Sequence, residues 1–258
     1  MKYIRGFLMA WGMFCWIPCP YRQWRMEDRR AQIGMLPLVG LLMGVILCVL
    51  WKLMLMFVSV GPVLAGVLLT GAYFLMTGFI HLDGFMDCSD AIMPRHPSLE
   101  ERRRILKDSH SGAFALICAV ILFMVFAASL GEVYESAGLP LFAAVVCVLT
   151  CSRTVSAVSV LVCRPMETSQ YVQTQGRGRE TAAPVITAAL AVALSLCAVR
   201  GTAGDMLLVI LPAAVTVAAA LVAGFYDRKK LEGMNGDISG HMITLSEMAG
   251  ILTAALMI

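Results

Sequence analysis

Charge is what this chain has least of. Only 14% of its 258 residues are Asp, Glu, Lys or Arg, against about 25% in an ordinary soluble domain. With 59% hydrophobic residues, this deficit excludes a soluble globular protein and predicts an all-α polytopic helix bundle in a membrane. Lipid offers a bare backbone no hydrogen-bond partner, so each apolar segment has to be helical. Metal-ligand cysteine spacing is also missing. The nine cysteines sit mostly inside apolar stretches, where a thiol is a small packing group. Spacing excludes a thiolate metal site, and disulfides are not expected. There is no low-complexity stretch, no separable soluble domain and no inverted repeat of the transporter kind, so residues 1–258 read as one domain. No cleavable signal peptide is expected either. Residues 6–20 lack a small-residue cleavage pattern and are broken by Pro18 and Pro20.

What is present is a set of long apolar runs at residues 35–58, 62–80, 113–130, 139–162, 182–199, 206–225 and 242–258. A helix needs about 20 residues to cross roughly 30 Å of hydrocarbon. That gives six to seven spans, the last run being short enough to re-enter instead. The connecting loops differ in charge. Of the 20 basic residues, all but Lys52 and Arg200 lie near the N-terminal region or the loops at 81–112, 163–181 and 226–241, with Arg153 at the margin. The positive-inside rule makes that set cytoplasmic and predicts a multi-pass protein of the cell membrane. Every polar motif emerges on this side. An enzyme using cytoplasmic substrates needs that arrangement; a transporter needs groups along a path through the bilayer. No nucleic-acid partner is expected, and a homo-oligomer is left open.

The run His81-Leu82-Asp83-Gly84-Phe85-Met86-Asp87-Cys88-Ser89-Asp90 follows an uncharged apolar stretch. On a helix, positions 83, 87 and 90 share one face. Three close anions repel unless a cation sits among them. Hard oxygen ligands select Mg²⁺, which is usually held by one or two carboxylates plus substrate phosphates. Asp83, Asp87 and Asp90 are therefore the expected metal ligands; the alternative is a solvated acidic helix end. The same loop closes with Arg102-Arg103-Arg104 and Lys107-Asp108-Ser109-His110-Ser111-Gly112. A helix starting there would point its N-terminus at an anion, and the arginines suit a diphosphate, although a basic run beside a span also signals topology.

Arg153 interrupts an apolar run. At that depth a guanidinium costs at least about 3 kcal/mol, so it should face the bundle interior and pair with an anion, or else snorkel to the interface. The run Gly233-Met234-Asn235-Gly236-Asp237-Ile238-Ser239-Gly240 can bring backbone N–H groups close to an anion. Asp237 and Glu247 add two more acids. His81 and His110 flank the acidic loop as proton shuttles or as structural histidines. Together these groups suit phosphoryl transfer from a phosphoanhydride.

In this order the residues resemble the cobalamin synthase family, the adenosylcobinamide-GDP ribazoletransferases. Its H-L-D-G-x-x-D-x-x-D signature matches His81, Leu82, Asp83, Gly84, Asp87 and Asp90. A K/R-D-S segment with a following glycine matches Lys107, Asp108, Ser109 and Gly112, and a Ser-Arg pair matches Ser152 and Arg153. The late G-x-x-G-D-x-x-G with a downstream acid matches Gly233, Gly236, Asp237, Gly240 and Glu247. Pro18, Pro20, Pro37, Gly40 and Gly44 fit as well, so the likeness runs nearly end to end. Phe79, Ala91 and Glu232 stand where glycine is usual, His110 where arginine is, Asn235 where threonine is and His241 where alanine is.

The resemblance implies that α-ribazole or its 5′-phosphate joins adenosylcobinamide-GDP with release of GMP, with Mg²⁺ as cofactor and the corrinoid as substrate. It puts Asp83 and Asp87 on the metal, and Asp90 on the metal or on the acceptor's proton. Arg153 and Lys107 would hold the diphosphate, with Ser109 and Gly236 beside it. Asp108, Asp237 and Glu247 would orient these groups or bind a second metal. Asp90, Asp108 and His81 are the candidate catalytic groups. A CDP-alcohol phosphotransferase requires a different order of Asp-Gly, Ala-Arg and later aspartates, and a polyprenyl transferase requires a second Asp-rich motif.

Overall fold

The computed structural model describes every residue except 20, 22, 96–97, 109, 168, 175–178 and 200, and all described side chains except those of 173 and 179. Among the described residues it is helical throughout, with a single isolated bridge between Pro165 and Met234. The helices are α1 (Lys2–Phe14), α2 (Arg29–Gly34), α3 (Leu36–Phe57), α4 (Pro62–Met76), α5 (Ile80–Ile92), α6 (Leu99–Ile105), α7 (Ala113–Glu135), α8 (Leu139–Val162), α9 (Ala182–Val199), α10 (Ala203–Leu231) and α11 (Gly236–Ala255). Proline in the first turn starts α3, α4 and α8, where its missing N–H would have had no partner anyway. Helix α10 starts with a reciprocal cap between Thr202 and Asp205.

Helix α8 is the axis. Of its most apolar window 78% is buried, against 11% for α9, which lies at the periphery. Helices α3, α9, α10 and α11 pack on α8, α4 packs on α7, and α5 is held between α7 and α11. Five helices, α3, α7, α8, α9 and α10, are long and apolar enough to cross a membrane, and α4 with α5 makes a sixth if that bent pair is one span. The six-to-seven expectation therefore ends at five or six. The seventh candidate, α11, is not among them. It carries Asp237, His241 and Glu247 and packs on α5, α7, α8 and α10, so protein rather than lipid satisfies its polar groups.

The break that positions the site lies between α4 and α5, which meet at 94°. Gly78 and Phe79 both take positive φ there, 57° and 61°. Gly78 tolerates this without strain; Phe79 does not. After the turn, α5 lies against the start of α11 so closely that a Cβ on Gly84 would sit 2.8 Å from the Asp237 carbonyl oxygen. A Cβ on Gly240 would sit 2.8 Å from that of His81. Small residues let the two backbones approach, and this brings the acidic segment of α5 beside the acid that opens α11.

Candidate active site

Asp83 is exposed and Asp87 half-buried on α5. Asp237, also half-buried, sits in the first turn of α11 and accepts a hydrogen bond of 2.6 Å from the Asn235 side-chain amide. Asn235 caps α11 by accepting from the Ile238 N–H at 2.9 Å, as an N-cap residue does. Asn235 thus does the capping expected of the more usual threonine. The charge of Asp83 acts on both Asp87 and Asp237, and that of Asp237 on Asp87. Asp83 and Asp87 flank Gly84, where α5 packs against Asp237 of α11.

Asp90, the third acid of the trio expected from spacing, lies on the same helix as Asp83 and Asp87, and its charge also acts on Asp87. Its carboxylate accepts from the backbone N–H groups of Gly112 at 2.6 Å and Ala115 at 2.8 Å, and only 9% of the residue is exposed. It caps α7, where a helix N-terminus favours negative charge. No three His, Cys, Asp or Glu side chains among the described residues form a ready-made metal cage.

Arg153 and Glu247, expected on the substrate, bind each other instead. Both are fully buried at the centre of the bundle. Glu247 accepts from Arg153, from the Tyr73 hydroxyl and from Ser152 at 2.6 Å. Arg153 also donates to the Leu149 carbonyl at 3.0 Å. This ties α4, α8 and α11 together. The interior placement and anionic partner of Arg153 follow the sequence reading; its distance from the surface does not.

His81 is 3% exposed and stacks on Phe14 with ring centroids 5.6 Å apart. Its Nε2 is buried without a partner among the described residues, so it is no surface proton shuttle. Lys107 and Asp108 are exposed in the loop before α7. Asp108 accepts from the His110 backbone at 3.0 Å and pairs with its ring at 2.7 Å. The hydrogen bonds to His110 hold the Asp108 carboxyl below its ordinary range and favour the ionised form. Ser109 lies outside the described residues. Gly236 is half-buried in the first turn of α11, beside the Gln170 side chain. Sequence reading missed one polar pair. Asp227, with no exposed surface, lies 2.6 Å from His241 Nδ1, whose ring stacks on Phe85. Asp227 sits in the charged tail of α10, a context that reads as topology signalling.

Residues 6–255 match the model of the cobalamin-5-phosphate synthase family. The chain belongs to that family. An adenosylcobinamide-GDP ribazoletransferase from Clostridium botulinum (strain Alaska E43 / Type E3) is 29% identical over 255 residues, 98% of this chain and 97% of the relative. One from Clostridium perfringens (strain SM101 / Type A) is 30% identical over 250 residues, 95% and 94% of the two chains. No solved structure matches. As a family member, this cobalamin-5-phosphate synthase homologue is a transferase with membrane-crossing helices.

Proposed function

We propose that this chain is an adenosylcobinamide-GDP ribazoletransferase, joining α-ribazole or its 5′-phosphate to the GDP-activated corrinoid and releasing GMP. One observation carries the reading. Asp83 and Asp87 flank the point where α5 packs against Asp237 of α11, in a chain matched to the family from residue 6 to 255. The charge of the basic loops supports a cytoplasmic position for these acids, where a nucleotide-activated substrate is available.

Mg²⁺ fits these donors, because hard carboxylate oxygens left without cationic partners suit an ion that brings phosphate ligands with it. Asp83 and Asp87 would hold it, with Asp237 facing them from α11. When bound, the ion neutralises charge on the departing phosphate. The protein does the rest. Helix packing through Gly84 and Gly240 fixes the spacing of the acids, and the buried Arg153–Glu247 pair holds α8 and α11 in register. Asp90, Asp108 and the acids where α5 meets α11 are the candidates to receive the acceptor's proton.

The reading is tested with purified protein in lipid nanodiscs, supplied with Mg²⁺, α-ribazole or its 5′-phosphate and the GDP-activated corrinoid. Chromatography should show the joined product and GMP, and Asp83→Asn should abolish both while inserting normally. Near-wild-type turnover by that variant would remove Asp83 from the metal. Release of CMP from a CDP-alcohol donor would replace the proposed reaction with the rival transferase chemistry.

A further inference from the structure

A second polar cavity lies on the far side of the turn that opens α11. It has a volume of about 430 Å³, and its charged lining is Arg103, Arg164, Arg228, Glu167 and Glu232. The three guanidinium groups come from three elements. Arg103 on α6 reaches the end of α10, donating to the carbonyls of Leu231 at 3.3 Å and Glu232 at 3.4 Å. Arg228 near the end of α10 donates to the Gly224 carbonyl at 2.7 Å and to the Cys163 sulfur at 2.8 Å. Arg164 follows α8, and its backbone is pinned because its carbonyl accepts from the Met234 N–H at 2.9 Å. Its side chain is exposed and makes no hydrogen bond or ion pair among the described residues.

Three guanidinium groups against two acids leave the cleft net positive. Glu232 lies 4.0 Å from Arg103 with 67% of its side chain exposed, so an incoming anion displaces it at little expense. Guanidinium forks match phosphate oxygens. Glu232 and Gly233 line the cleft, and Asp237 is four residues beyond Gly233, a reach of at most about 14 Å. A molecule with its reacting group at the acids can therefore set another phosphate in the cleft.

We propose that Arg103, Arg164 and Arg228 form a binding site for a phosphate ester group that does not itself react, with Arg164 as its free arm. The group belongs to a phosphorylated substrate or to an anionic lipid headgroup. The substrate arm rests on the transferase reading above; the binding itself does not.

The test uses the full chain in nanodiscs of neutral phosphatidylcholine without Mg²⁺, with inorganic phosphate as the calorimetric probe. Arg164→Gln should weaken phosphate binding about tenfold, Arg164→Lys less, and Lys229→Gln, an exposed neighbour outside the cleft, not at all. Nanodiscs containing phosphatidylglycerol separate the sources. If they depress phosphate affinity in the wild type but not in Arg164→Gln, the occupant is a headgroup. If they change nothing while Arg164→Gln raises KM for α-ribazole 5′-phosphate but not for α-ribazole, the occupant is the substrate. Equal phosphate affinity in wild type and Arg164→Gln overturns the site, whatever the turnover. Arg164-dependent binding in a protein that transfers no ribazole would keep the site and sink the transferase reading.

Discussion

Two acidic regions of this molecule use the same residue types to opposite ends. At the bundle centre, every oxygen of Glu247 is met by a donor from Arg153, Tyr73 or Ser152, and nothing is exposed. Where α5 meets α11, Asp83, Asp87 and Asp237 lie along the two packed helices, and none forms an ion pair with Lys, Arg or His among the described residues. The first arrangement is complete and holds helices together. The second sets like charges along two packed helices, where they repel. A charge buried with its partner signals structure; a charge gathered with its own kind signals binding.

The contrast breaks most visibly at the centre. Glu247→Leu, which strands the Arg153 guanidinium without exposed surface, should lower stability by about 3–5 kcal/mol, read as a fall in unfolding temperature in detergent. Adding Arg153→Met should recover most of that loss, since the double variant leaves no unpaired charge. If both single variants and the double unfold at the wild-type temperature, the pair is not structural. Where α5 meets α11 the opposite is expected. Asp87→Asn should reduce GMP release at least about a hundredfold and leave unfolding temperature unchanged or higher, because it relieves like-charge repulsion. An equal drop in stability would place Asp87 with Glu247 as a structural acid.

Asp90 sharpens the comparison between these extremes. As the cap on α7, its change to Ala should destabilise by about 1–2 kcal/mol, and Asp90→Asn, which keeps an acceptor, should recover part of that. Turnover of Asp90→Asn near wild type would confirm a capping role, whereas Asp87-like inactivity would return Asp90 to the chemistry. The smallest effect concerns Phe79. Its positive φ costs about 1–2 kcal/mol, and glycine gives back part of the relief through its freer unfolded chain. Phe79→Gly should therefore stabilise by only about 0.5 kcal/mol, measured by denaturant midpoint. A destabilisation would mean that the half-exposed ring packs better than its 45% exposure implies.

Much of the fold was legible because lipid restricts it so strongly. Uninterrupted apolar runs must be helices, and α3, α7, α8, α9 and α10 lie where those runs lie. The seventh run falls away because residues 242–258 begin inside α11, whose first turns carry Asp237 and His241; counted over the whole helix it is not among the segments apolar enough to cross. The site was half legible. Spacing placed Asp83 and Asp87 on one face, and helical geometry made that safe. The same spacing gave Asp90 that face but not its contact with the start of α7, because a period of 3.6 says which residues share a face and not what the face meets. Phe79 and Glu232, noted only as odd residues where glycine is usual, both take positive φ, 61° and 54°. The backbone keeps glycine's conformation without glycine.

Composition alone determined that this chain is a helical membrane protein, since too little charge and too much apolar surface leave water no way to solvate it unfolded or folded. The order of its motifs determined the family. Tertiary structure decided which acids have partners across the bundle and which do not. That division depends on what each carboxylate meets across helices far apart in the chain, at distances of a few ångströms that no residue spacing encodes.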